Sequence, residues 1–156
     1  MINVLFVCLG NICRSPMAEA VFKDLVAKEG LDDQFYIDSV GTGAWHMGDK
    51  AHKGTRNVLS RHGIHCDSIS RMVTSSDLEQ ADYIIAMDQS NVSDLEYSFR
   101  NVALDGQVHL LLDFADNTSV REVPDPYYTG NFEGVYQLVD DGCRGLLAHI
   151  REEQNI

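Results

Sequence analysis

The sequence predicts an α/β fold: one domain over residues 1–156, with a central, twisted, parallel sheet of about four strands and helices on both faces. Three observations lead there. Apolar runs rich in β-branched residues alternate with segments of helical periodicity, the pattern of βαβ units. Two of those runs, residues 4–7 and 83–87, are continuously apolar, as strands buried on both faces of a parallel sheet are. And 156 residues with 44% apolar content are enough for one core.

Taken in order, the first strand ends at Cys8. Gly10 and Asn11 make a short turn, and Ser15-Pro16 reads as a helix start, with Ser as cap and Pro in the first helical position. Residues 17–29 carry Ala18, Val21, Phe22, Leu25 and Val26 at helical spacing, and Gly30 stops them. Residues 36–40 form a second strand, so the first three elements make a parallel crossover. Ligands of such sheets gather beyond the carboxyl ends of the strands, which places Ser39 beside the segment after Cys8. Residues 55–62 form a short helix ended by Gly63. Met72-Val73 reads as a brief strand, and Ser75 or Ser76 with Glu79 as the cap of a short helix. Residues 83–87 make a central strand. Asp88 either caps a helix over 89–97 or organises a loop. Residues 108–112 give the last strand and 132–150 a terminal helix that packs on the sheet. Between them, 113–131 has no periodicity, and a loop that long is usually functional. The whole is a flavodoxin-like or Rossmann-like arrangement.

The chemistry concentrates after the first strand. Cys8 opens a loop that feeds a helix N-terminus and Arg14 closes it, a Cys-x5-Arg spacing. Loop N–H groups and a helix dipole converge on anions. A thiol facing them and a guanidinium is expected to ionise near neutral pH. Arg14 offers a planar fork matching two phosphate oxygens. Nucleophile and oxyanion cradle in one segment suit attack on a phosphate monoester. Trp45, the only Trp, lies in the glycine-rich segment 41–48 and reads as a wall for an aromatic ligand, with His46 at the rim.

Composition narrows the classes. Twelve Lys and Arg against 24 Asp and Glu give a net charge of −12, which argues against nucleic acid and anionic membranes as partners. No apolar run is long enough to span a bilayer, and the N-terminus lacks the basic region and cleavage site of a signal peptide, so a cytoplasmic location is expected. The four cysteines do not suggest a stapled secreted scaffold. His62, His65 and Cys66 have no matching ligand pair elsewhere, so neither metal nor cofactor is expected.

Residues 8–15, Cys-Leu-Gly-Asn-Ile-Cys-Arg-Ser, together with Asp125-Pro126-Tyr127-Tyr128, resemble the low-molecular-weight protein tyrosine phosphatases, in their bacterial form. The segments 39–43, 61–64 and 86–91 match the family too, so the resemblance covers most of the chain. It implies hydrolysis of phosphotyrosine through a phosphocysteine on Cys8, with Arg14 and the amides of Leu9, Gly10, Asn11, Ile12 and Cys13 holding the phosphate. Asp125, stiffened by flanking prolines, is implied as general acid and base. Ser15 would hydrogen-bond the Cys8 sulfur, and Trp45, Tyr127 and Tyr128 would line a slot for the phenyl ring. Ser39 and His62 are implied to join Asn11 and Ser15 in a network supporting the loop. Cys13 is implied as a redox guard that could pair with Cys8, or else is a small buried residue. The implied partner is a phosphotyrosine-bearing protein, a cognate tyrosine kinase among them; the enzyme itself is expected to be a monomer or weak dimer. Three alternatives share parts of the pattern. An arsenate reductase of this fold would need further redox cysteines, and residues 67–142 contain none. A phosphocysteine carrier needs neither Arg14 nor an acid, and a non-catalytic phosphotyrosine-binding module needs neither Cys8 nor Asp125.

Overall fold

The computed structural model describes residues 1–104 and 107–156. In it, β1 (Ile2–Cys8), β2 (Phe35–Gly41), β3 (Tyr83–Ala86) and β4 (Val108–Leu110) form one sheet in the order β2-β1-β3-β4, parallel throughout. The chain adds β2 on one side of β1 and then crosses back to add β3 on the other. The carboxyl ends of β1 and β3 therefore flank the point where the winding reverses, and the loops leaving them open a crevice there. The register sets Cys8 beside Gly41, and Val7 between Val40 and Ala86.

Among the described residues, six helices clothe the sheet: α1 (Arg14–Lys28), α2 (Lys53–Arg61), α3 (Ser75–Gln80), α4 (Gln89–Ser98), α5 (Pro126–Thr129) and α6 (Phe132–Gln154). Alternate residues of β1 serve opposite cores, because successive side chains of a strand point to opposite faces. Val4 and Phe6 meet Phe22 of α1, Leu59 of α2 and Leu146 of α6. Leu5 and Val7 meet Leu78 of α3 and Leu95 of α4. Phe22 stacks edge-on against Phe6 and Phe35, at centroid distances of 5.6 and 5.7 Å. Truncating such a ring costs about 3–5 kcal/mol. The long helix α6 seats against the turn Leu111–Phe114 at a glycine: a Cβ on Gly145 would lie 1.7 Å from the Phe114 carbonyl oxygen, so only glycine fits.

Local details depart from the sequence reading in several places; the last strand, for one, ends at Leu110 and not at residue 112, where the turn Leu111–Phe114 takes over. Helix α1 begins at Arg14, two residues earlier than a Ser15 cap with Pro16 as first helical residue suggests, and Ser15 caps nothing; its hydroxyl is drawn to the Cys8 sulfur. Met72-Val73 is no strand, since only an isolated bridge joins Met72 to Gly41. Helix α3 is capped by Thr74 in a reciprocal box with Asp77, not by Ser75 or Ser76 with Glu79: Asp77 is also held by Arg71, which fixes the entry one residue earlier.

Candidate active site

The loop between β1 and α1 is held from outside by its carbonyls. Thr42 and Gly43 donate backbone N–H to the oxygens of Cys8 and Leu9, and His52 donates to that of Ile12 at 2.7 Å. The hydroxyls of Ser70 and Thr55 donate to the oxygens of Gly10 and Cys13. With so many carbonyls turned outward, the peptide N–H groups are left facing inward. Among the described residues, the N–H groups of Gly10 to Cys13 have no acceptor. Asn11 bends the chain in the left-handed region, φ 56°, a conformation its short polar side chain tolerates better than most. Gly41 lets the end of β2 pass close by, for a Cβ there would sit 2.9 Å from the Leu9 oxygen.

Arg14 lies under this ring of amides, 3% exposed. Its Nη1 donates to Asp88 at 2.6 Å and to the Val123 carbonyl at 3.0 Å, while Nη2 stands 3.6 Å from Asp125. Burial works against its charge, but Cys8 and Asp88 outweigh burial and raise its proton affinity above the ordinary arginine value. Burial likewise opposes ionisation of Asp88; hydrogen bonds from Arg14, the Asn91 N–H and Ser90 win and hold its carboxyl low. Asp88 is thus both the cap of α4 and the anchor of Arg14, joining the ends of β1 and β3. Cys13 is pushed up to about 12, mainly by burial and then by Cys8 and Asp125.

The crevice is a cavity of about 410 Å³. Cys8, Leu9, Gly10, Ile12, Cys13 and Arg14 make its floor, Trp45 and His46 one wall, and Asp125, Tyr127 and Tyr128 the other. Asp125 caps the one-turn helix α5 by accepting the Tyr127 N–H at 3.0 Å, so its second oxygen is free to face the floor. Behind the floor, the Asn11 amide donates to Ser15 at 2.8 Å and Ser39 at 3.0 Å, and Ser15 lies 3.0 Å from the Cys8 sulfur. The side chains of Asn11 and Ser15 therefore act from behind the loop, not on its pocket face.

One expected supporting residue is elsewhere. His62 stacks on Tyr136 at 3.9 Å and bonds Glu133 of α6, and does not join the Asn11 network. The reason is its position: it ends α2, whereas the loop is gripped by the start of that helix, at His52 and Thr55. Glu19 fills the vacancy, 6% exposed, accepting the Ser39 hydroxyl at 2.5 Å. Its signal in the sequence was a lone charge amid Ala18, Ala20, Val21 and Phe22, which the periodicity of α1 did not explain.

Known proteins place this arrangement. The family description "Low molecular weight phosphotyrosine protein phosphatase" matches residues 3–155. The chain belongs to that family. Bacillus subtilis YfkJ, a low molecular weight protein-tyrosine-phosphatase, is 50% identical over the full length of both chains, and its crystal structure superposes with a TM-score of 0.93 over 98% of this chain and 96% of that one. PtpA of Staphylococcus saprophyticus, of the same designation, is 47% identical across 100% of this phosphatase and 98% of its own length. A Drosophila arginine phosphatase shares the fold at 34% identity and a TM-score of 0.86, over 95% and 97% of the two chains. This phosphatase is accordingly a hydrolase with a single parallel sheet, and among its described residues no helix is long and apolar enough to cross a membrane.

Proposed function

We propose that this chain hydrolyses phosphotyrosine in proteins, with Cys8 as nucleophile, Arg14 and the loop amides as phosphate cradle, and Asp125 as general acid and base. The observation that carries it is the run of N–H groups from Gly10 to Cys13, unpartnered among the described residues, closed by the buried Arg14 and lining one cavity with Cys8. In the first step the Cys8 thiolate forms an S–P bond as the P–O bond to tyrosine breaks, and Asp125 gives its proton to the leaving phenolate. In the second, water attacks phosphorus while the Asp125 carboxylate takes its proton, and the S–P bond breaks to restore the thiolate. Ser15, donating to the sulfur, eases that departure. The amides and guanidinium meet the charge of the equatorial oxygens where it builds up, in a site already arranged for it.

The aromatic side chains of Trp45, Tyr127 and Tyr128 around the mouth support a phenyl leaving group; cytoplasmic location and a cognate kinase as one substrate belong to the same reading. The likeness to an arginine phosphatase makes phosphoarginine the informative control. Turnover of a phosphotyrosine peptide in EDTA, well above that of a phosphoarginine peptide and abolished by Cys8→Ser, is the expected result. A Cys8→Ser protein with normal turnover, or a preference for phosphoarginine, would overturn the reading.

A further inference from the structure

We infer that Glu19 is a positioning residue for the nucleophile: its buried carboxylate ends a hydrogen-bond chain through Ser39, Asn11 and Ser15 that aims the Ser15 proton at the Cys8 sulfur. The inference rests on Cys8 being the nucleophile.

Proton counting gives the direction. The Asn11 carbonyl accepts the Arg71 N–H at 3.0 Å, so its nitrogen faces the two serines and gives one proton to each. Each serine oxygen thereby accepts from Asn11 and has a single proton left to place. That of Ser39 goes to Glu19, at 2.5 Å, rather than to Ser68 at 3.5 Å. That of Ser15 goes to the sulfur at 3.0 Å rather than to the Val40 carbonyl at 3.5 Å. The chain has an acceptor at each end and its donor, Asn11, in the middle. Asn11, Ser15 and Ser39 are each 1% exposed or less, so water does not supply substitutes. Lys23, half-exposed on the next turn of α1, pairs with the outer oxygen of Glu19 at 2.6 Å and leaves the inner one for Ser39.

The competing arrangement is a flipped Asn11 amide. Its carbonyl would then face the serines, both hydroxyls would turn to it, and the sulfur would lose its donor. Two contacts oppose the flip: the Arg71 N–H on one side and, through Ser39, Glu19 on the other. Removing Glu19 leaves Ser39 with a proton to place, and the flipped amide is the nearest acceptor. The result is a sulfur that is less readily ionised and a poorer leaving group, so the second chemical step slows more than the first.

The test compares Glu19→Met with Glu19→Gln. Met keeps the volume and removes the acceptor; Gln keeps an oxygen for Ser39 and loses only the charge paired with Lys23. For Glu19→Met the pH midpoint of Cys8 alkylation moves up, kcat falls roughly tenfold, KM falls with it, and phosphocysteine accumulates in acid quench. Glu19→Gln restores most of the alkylation profile. The alkylation reading needs no turnover, so it stands apart from the hydrolase assignment. In a double-mutant cycle, Glu19→Met adds nothing to the alkylation shift of Ser39→Ala, because both cut the same chain. A folded Glu19→Met protein with the wild-type profile and kcat would overturn the inference. So would Met and Gln variants losing activity equally and in step with thermal stability, or additive shifts in the cycle. If Glu19→Met fails to fold, Ser39→Ala with and without Glu19→Gln decides: an unchanged alkylation profile in Ser39→Ala refutes it.

Discussion

The floor and the walls of the crevice are built to different standards. On the phosphate side, five loop carbonyls are tied to neighbouring segments, Arg14 is 3% exposed, and Asn11, Ser15 and Ser39 are locked behind the loop. On the leaving-group side, Trp45, Tyr127 and Tyr128 are 73%, 53% and 78% exposed, and among the described residues the Asp125 carboxylate is held by the Tyr127 N–H and a 3.6 Å approach to Arg14. The phosphoryl group is the same in every substrate, so its donors are arranged before it arrives, where they act without reorganising. The peptide around the tyrosine varies, and the side that meets it is left adaptable. Asp125 belongs to the loose side in its anchoring and, as the proposed acid, to the tight side in its chemistry.

That contrast can be broken most forcefully at Asp125. Asp125→Ala should lower kcat for a phosphotyrosine peptide by roughly 10² to 10⁴. It should lower kcat less for para-nitrophenyl phosphate, whose leaving group needs less protonation, while phosphate affinity stays within a few-fold. Steady-state kinetics on both substrates check this, and an equal loss on both would remove Asp125 from the acid role.

A smaller effect tests how tightly the interior is packed, at the loop (Cys13) and away from it (Cys66 and Cys143). Burial raises Cys13 to about 12, Cys66 above its ordinary value and Cys143 well above it. The folded state therefore holds these protons where the unfolded chain, near 9.0, releases them. The stability they contribute is complete below pH 9 and is lost as pH rises through the folded values. Denaturation midpoints should fall between about pH 9 and 12. A Cys13→Ala, Cys66→Ala, Cys143→Ala protein should lose less over that range, and an identical slope would contradict the burial.

The tight side was also the more legible in sequence. Cys8 and Arg14 sit within one loop, and the strand before them and the helix after them follow from local pattern, so their convergence could be read directly. The alternation of Val4 to Val7 between two cores follows from the period of a strand. Long-range partners were harder to read. That Asp88 holds Arg14 depends on β3 lying next to β1 in the sheet order, which no local signal reports. The misplacement of His62 has the same origin: α2 lies along the start of α6 at both ends but touches the loop at one end alone, and periodicity cannot say which. The Thr74 cap was missed because Ser75 and Ser76 offer equivalent chemistry and only Arg71, holding Asp77, decides among them.

In the proposed function the amides of residues 10–13 and Arg14 hold an anion directly over Cys8, so a bound anion must shield that thiol. Iodoacetate at neutral pH, with and without inorganic phosphate and EDTA, tests it when the modified residue is mapped by mass spectrometry. Carboxymethylation is expected at Cys8 ahead of Cys13, Cys66 and Cys143, slowed at least about tenfold by saturating phosphate as the occupied fraction of sites rises, and indifferent to EDTA. Modification of another cysteine first, or a Cys8 rate that phosphate does not change, would contradict it.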